Sequence, residues 1–166
     1  DSGMHRTGFS AAEYPGIWRE LQASSKVAGL TKITHFARAD EPDTGRTEEQ
    51  LATFARATAG LDGPASLSNS AGVLARPSAY GDWVRPGIML YGSSPFGFAQ
   101  EQAAQLRPVM QLDSKVIAVH DIGVGEPIGY GSRFVTRRAS RIGVVALGYA
   151  GGYPRHAPDG TPVLVD

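Results

Sequence analysis

Two stretches of the chain carry residues placed for chemistry. In PIGYGSRF, residues 127–134, Tyr130 stands between Gly129 and Gly131. Flanking glycines free the backbone for conformations that other residues avoid and allow close approach to another surface. A tyrosine whose pKa is lowered by positive neighbours acts as a general acid or base. A strand tyrosine with a bonded hydroxyl only packs. In SLSNSAGVLARPSAYGDWVRPGIMLYG, residues 66–92, two short apolar runs each meet small residues and loop signals. Ser70 lies where a strand end runs into a helix start, and its hydroxyl and backbone N–H, with Gly87 and Ile88, could cradle a phosphate. Arg85 is an odd neighbour for an apolar strand. Buried, it needs a partner; otherwise it snorkels to the surface and pairs with Asp82.

The elements that must hold these residues read as two textures. From Ala11 to Ala23, Ala12, Ile17 and Leu21 keep helical spacing, with Ser10 as the cap. LTKITHFA, residues 30–37, alternates like a barrel strand. From Thr47 to Ala59, Leu51, Phe54, Ala55 and Thr58 share a helix face, and Glu48 and Glu49 sit in the first turn, where the macrodipole favours them. ASLSN is a strand, a short helix starts at Ser70, and IMLYG is a second strand. Strand–loop–helix units in succession suit a parallel α/β sheet or barrel. After Pro108 the runs MQLDSKVIAVHDI, IGYGSRFV, RIGVVALGY and TPVLV are β-branched and separated by Gly-rich turns. They read as antiparallel strands. The expected division is 1–104 and 105–166.

The bulk numbers bound the partners. The 166 residues carry 16 basic and 16 acidic side chains, so net charge is zero and no nucleic-acid or membrane surface is expected. With 42% hydrophobic residues, a packed core is expected. No cysteine means no disulfide and no thiolate chemistry, which suits a cytoplasmic protein. His5, His120 and His156 are scattered, and no spacing suggests a metal site. Asp1 lies inside what reads as a motif, and TPVLVD stops within an apparent strand, so a piece of a longer protein is expected. A whole (β/α)₈ barrel needs about 250 residues.

Five motifs in order give a family resemblance: DSGMHR at 1–6, THFARADE at 34–41, SLSNSAG with WVRPGIMLYG, PIGYGSRF at 127–134, and GYAGGYPR at 148–155. Together they resemble the bacterial alanine racemases, the fold type III pyridoxal phosphate enzymes. The resemblance implies the C-terminal part of a (β/α)₈ TIM barrel followed by the start of a β-strand domain. It implies pyridoxal phosphate as cofactor, alanine as substrate, a homodimer, and supply of D-alanine for peptidoglycan.

By the same resemblance, Tyr130 is one of two catalytic bases. It takes the α-proton of L-alanine in the partner subunit's site. The other base, a lysine that carries the cofactor and serves the D face, is expected upstream of Asp1; Lys26, Lys32 and Lys115 match no such motif. Residues 1–166 alone are therefore expected to be inactive. Arg85 is implied to face the pyridine nitrogen; Ser70, Gly87 and Ile88 the phosphate; His35 the ring; and Arg6 the substrate carboxylate. Asp40, Tyr149 and Arg155 are implied at the substrate entrance. Gly151 stands where the family usually has an aspartate. Two rivals are weighed: another enzyme on the same scaffold, a broad-specificity racemase or a decarboxylase, and a non-catalytic pyridoxal phosphate-binding protein. An acidic partner for the ring nitrogen would mark a decarboxylase, and Arg85 argues against one.

Overall fold

The computed structural model describes residues 1–165. It divides into two compact units, Asp1–Gln111 and Leu112–Asp166; Asp166 itself lies outside the described residues.

In the first unit, helix α1 (Tyr14–Ala23) has Pro15 in its first turn, where a missing N–H costs nothing. Ser10 caps a lead-in turn. Its hydroxyl accepts the Glu13 N–H and its carbonyl accepts the Tyr14 N–H. Strands β1 (Lys32–Ile33) and β2 (Ala65–Ser66) pair in parallel, Lys32 opposite Ala65. A parallel bridge between Ser66 and Trp83 adds a third neighbour. The Asp82 and Trp83 N–H groups donate to the Ala65 carbonyl, and the Arg85 N–H donates to the Ser68 carbonyl at 2.9 Å.

The expected strand IMLYG is not there. The paired backbone is 82–85, just upstream, and Ile88–Tyr91 forms a 3₁₀ turn with Ile88, Leu90 and Tyr91 exposed. Pro86 has no N–H to give a ladder, and Gly87 (φ −122°, ψ −96°) leaves the extended path. The expected strand at 30–37 is likewise reduced to two residues, because the carbonyls of Thr34 and His35 turn to side-chain donors instead.

Helix α2 (Arg46–Thr58) starts after Gly45 and carries Glu48 and Glu49 in its first turn and Arg56 in its last, each at the favourable pole. Its buried face is more polar than expected. Thr47 and Gln50 are the fully covered residues, Leu51, Phe54 and Thr58 are half-buried, and Ala55 is exposed. Helix α3 (Ser70–Ala75) is capped by Asn69, whose side chain accepts the Gly72 N–H. The core gathers Phe36, Leu67, Ala71, Ala79, Phe96 and Ala103. Small residues let α3 lie against the preceding strand: a Cβ on Gly72 would sit 2.8 Å from Ser68 Oγ.

In the second unit, β3 (Val116–Ile122) pairs antiparallel with β6 (Ser140–Val145), with an irregularity between Val116 and Ala118. The short β4 (Pro127–Ile128) and β5 (Phe134–Val135) also pair antiparallel. TPVLV is not a strand among the described residues. Thr136 is buried and locks the β4–β5 hairpin: its hydroxyl donates to the Gly123 carbonyl at 2.6 Å and accepts the Glu126 N–H at 2.9 Å. Val116, Ile117, Val119, Val144 and Val145 remain exposed on a two-stranded ribbon. A ribbon of this size is marginal without further cover.

One glycine pair separates conformational cost from collision. Gly45 (φ 66°) and Gly92 (φ 78°) both adopt left-handed backbone, but a Cβ meets nothing at Gly45 and falls 1.9 Å from the Arg107 carbonyl oxygen at Gly92. Gly45→Ala should cost about 1–2 kcal/mol, the left-handed penalty alone. Gly92→Ala should cost more, because the backbone must move. Denaturant midpoints of the two variants check this, and equal losses would mean that the 92–107 contact is not tight.

Candidate functional site

The site is built around Arg85. Its Nη1 donates to Ser66 Oγ at 2.6 Å, and Nη2 donates to the Thr34 carbonyl at 2.6 Å and, more weakly, to the Leu67 carbonyl at 3.3 Å. Nη2 also lies 3.2 Å from His35 Nδ1. These partners come from β2 and from the chain leaving β1, so the parallel pairing itself assembles the socket. No carboxylate takes part. Asp82, the surface partner that a snorkelling arginine would find, instead accepts the Ala65 N–H at 2.7 Å. The guanidinium is therefore turned inward and half-buried, with its charge answered by neutral acceptors.

A guanidinium can only donate, so His35 Nδ1 must accept and the ring proton belongs on Nε2. The environment keeps the ring neutral: burial first, then the charges of Arg85 and of Arg6, push the His35 pKa below its usual range. Burial and the charge of Arg6 also lower the pKa of Arg85, which stays protonated all the same. Arg6, His35 and Arg85 line one cleft of about 340 Å³ together with Asp1, Tyr14 and Ile33. Two arginines and a neutral imidazole facing one cleft form an environment for a small anion.

Arg6 is delivered by a stiff turn. Asp1 Oδ1 accepts the N–H groups of Gly3, Met4 and His5 at 2.9–3.1 Å, and Oδ2 lies 3.0 Å from His5 Nδ1. His5 takes φ 56°, a left-handed conformation uncommon outside glycine. Beyond Arg85, Ser70 Oγ accepts the Gly87 N–H at 2.8 Å and the Met89 N–H at 3.3 Å. The structure thus brings Ser70 and Gly87 together, with Ile88 between the two donors. Ser70, Gly87 and Ile88 border Arg85 in the chain but do not line the cleft that Arg6, His35 and Arg85 share.

The remaining predicted residues are placed separately. Asp40 is half-buried in the turn after β1. In the second unit, Tyr149 opens a 3₁₀ turn, and the Arg155 guanidinium lies 5.8 Å from its ring centroid. Tyr130 opens another 3₁₀ turn between Gly129 and Gly131, both at φ 74°, and its side chain is 93% exposed. Its ring finds no packing partner among the described residues of its unit, so the packed strand tyrosine is not what forms. No group of His, Asp or Glu among the described residues could hold a metal ion.

Sequence reasoning missed Asp1, Thr34, Ser66 and Gln50, which hold the site residues from behind. The Asp-x-Gly opening was a turn signal that could have found Asp1. Gln50 was visible as a polar residue on the face shared by Thr47, Leu51 and Phe54.

A parallel α/β unit bearing a cationic, anion-accepting cleft, followed by an antiparallel β unit, defines the class. Comparison with known proteins narrows it. Residues 1–95 match the family model "Alanine racemase, N-terminal domain" and residues 109–166 match "Alanine racemase, C-terminal domain". The catabolic alanine racemase of Pseudomonas aeruginosa is 58% identical over the whole chain, and an alanine racemase of Xanthomonas oryzae is 54% identical. The crystal structure of the biosynthetic alanine racemase from P. aeruginosa superposes with a TM-score of 0.90 at 47% identity over 99% of the chain. The solved structure of the alanine racemase from Streptomyces coelicolor superposes with a TM-score of 0.87 at 34% identity over 100% of the chain. The chain belongs to the alanine racemase family. It spans 46% of the length of the P. aeruginosa proteins and 45% of the X. oryzae one.

The sign of the His35 shift sets a pH dependence. The folded chain binds the His35 proton less tightly than the unfolded chain, whose histidine titrates near about 6.5. Between the depressed folded pKa and that value the unfolded state holds more protons, so stability rises with pH there. The contribution is complete above the window and is lost as pH falls through it. An NMR titration of the His35 ring should show an apparent pKa below the usual value, and Arg85→Gln should raise it. A normal titration, unmoved by Arg85→Gln, would separate the two side chains.

Proposed function

We propose that the chain is a segment of a pyridoxal phosphate-dependent alanine racemase that interconverts L- and D-alanine. The observation that carries this reading is the Arg85 socket: an inward guanidinium, bonded only by neutral acceptors and a neutral histidine, in a cleft shared with Arg6.

The donor set suits the cofactor. Arg85 offers a permanent positive donor for a ring nitrogen. Ser70 Oγ already accepts two N–H groups, so its own proton is free to turn toward a phosphate oxygen. When bound, pyridoxal phosphate supplies the ring that makes the α-proton of an amino acid acidic. Arg85 would hold that ring at its nitrogen, and because a guanidinium does not release its proton, the nitrogen stays unprotonated. Ser70, Gly87 and Ile88 would hold the phosphate, His35 would lie against the ring, and Arg6 would bind the substrate carboxylate.

Tyr130 would move the proton on the L face, from Cα to its Oη. Its exposure, on a turn held by two left-handed glycines, supports a side chain that leaves its own unit to complete the site of a second subunit. Asp40, Tyr149 and Arg155 would flank the entrance. Within this reading residues 1–104 belong to a (β/α)₈ barrel and 105–166 to the β-domain, and the enzyme is a cytoplasmic homodimer that acts on a small amino acid. D-Alanine made this way supplies peptidoglycan. The names of the Pseudomonas relatives that are called catabolic favour a second role, conversion of D-alanine for breakdown; loss of growth on D-alanine after deletion would separate the two.

In the full-length enzyme containing this segment, Tyr130→Phe should lower racemisation in both directions by about 10²–10⁴-fold. Exchange of the α-hydrogen of L-alanine in deuterated water should collapse, while exchange from D-alanine persists. Equal loss for both enantiomers, or loss for neither, would remove Tyr130 from the role of L-face base.

A further inference from the structure

We infer that Gln50 is a positioning residue that sets His35 and the Arg6 turn relative to each other through one buried amide; this rests on the cofactor and substrate roles proposed above. Gln50 lies on α2 with 0% of its surface exposed. Its Oε1 accepts the Ala37 N–H at 2.9 Å, and its Nε2 donates to the His35 carbonyl at 2.9 Å. The side chain thus reads the carbonyl of one residue and the N–H of the next but one, as a neighbouring strand would, on the stretch where β1 pairing has ended. The second Nε2 proton goes to Ser2 Oγ at 3.2 Å, and Ser2 Oγ lies 2.5 Å from Thr34 Oγ1. Thr34 in turn gives its carbonyl to Arg85. One amide therefore spans the backbone of His35 and the start of the turn that delivers Arg6.

The chemistry is more specific than burial requires. A leucine or methionine would fill the same volume on the same helix face. An amide has the one acceptor and two donors that these three partners need, and none of them is left unmet. Its loss releases the His35 backbone and the Arg6 turn together, whereas removal of the Ser2 hydroxyl leaves the His35 and Ala37 bonds intact, so the two consequences can be read apart. Arg46, one helical turn closer to the start of α2, holds the same turn: its Nη2 donates to the Gly3 carbonyl.

The test uses the full-length enzyme that contains this segment. Gln50→Glu keeps the size and the acceptor for Ala37 but places an oxygen against the His35 carbonyl. Ser2→Ala removes the Gln50 bond to the Arg6 turn and, with it, the Ser2–Thr34 hydroxyl contact, and leaves both Gln50 bonds to the 35–37 backbone in place. Leu51→Ala, on the same helix and packed against the core, is the control for general destabilisation. The affinity of the apoenzyme for pyridoxal phosphate should fall for Gln50→Glu on the order of 10²-fold, the effect of small misplacement. It should hold for Ser2→Ala and for Leu51→Ala. Ser2→Ala should raise KM for alanine with kcat unchanged, and Leu51→Ala should leave both unchanged while lowering Tm. Should Gln50→Glu not fold, Gln50→Met, neutral and of similar volume, carries the same expectation. Wild-type cofactor affinity in a folded Gln50 variant overturns the inference, as does an equal loss in Leu51→Ala. A wild-type enzyme that binds no pyridoxal phosphate overturns the functional reading, and the inference with it.

Discussion

The site depends on a charge without a countercharge. A half-buried guanidinium ordinarily meets a carboxylate, because desolvating a cation with no compensation is expensive. Arg85 is instead bonded by a serine hydroxyl, two backbone carbonyls and an imidazole nitrogen. Each bond constrains something else. The Thr34 and Leu67 carbonyls are the first beyond the paired residues of β1 and β2, the Ser66 hydroxyl is set by its place in β2, and the His35 ring by the need to accept. A carboxylate bonded to the guanidinium would answer its charge directly. Neutral acceptors satisfy the donors and leave the net charge available to a ligand.

That arrangement explains why the parallel strands are so short. Pairing is kept for the few residues that bring 32–34, 65–68 and 82–85 side by side. Beyond them the backbone is released to side chains: Asn69 donates to the Phe36 carbonyl, Gln50 brackets His35 and Ala37, and Ser70 collects the N–H groups of Gly87 and Met89. Functional groups cluster where ladder hydrogen bonds give way to specific ones, which is where open α/β structures place their ligands.

Much of this was legible in the sequence. Helical spacing locates α1 and α2 within a few residues, and SLSNSAG marks the strand-to-helix turn at α3. The five motifs marked the family. What failed did so for stated reasons. IMLYG looked like a strand because four apolar residues in a row fit one, yet Pro86 and Gly87 ended the pairing before it began. Helical spacing of apolar residues puts Ala55 on the apolar face of α2 and gives Gln50 no place there, whereas Ala55 is exposed and Gln50 buried. Hydrophobic periodicity weighs an amide as an exposed residue, and only its partners, the distant Ser2, His35 and Ala37, make it a core residue. The inward turn of Arg85 was equally unreadable from spacing, since Asp82 stood three residues away and was already engaged by Ala65.

The sequence distances in the socket bear on how the protein is made. Arg85 meets the Thr34 carbonyl 51 residues back, and Gln50 meets Ser2 48 residues back. Closing such loops is entropically costly until several contacts form together. A chain that has emerged from the ribosome only as far as Ser70 would hold His35, Ser66 and the Arg6 turn without the Arg85 guanidinium that joins them. The socket closes only once Arg85 clears the exit tunnel, so the two-arginine cleft forms after the elements that carry Arg6, His35 and Ser66 rather than with them.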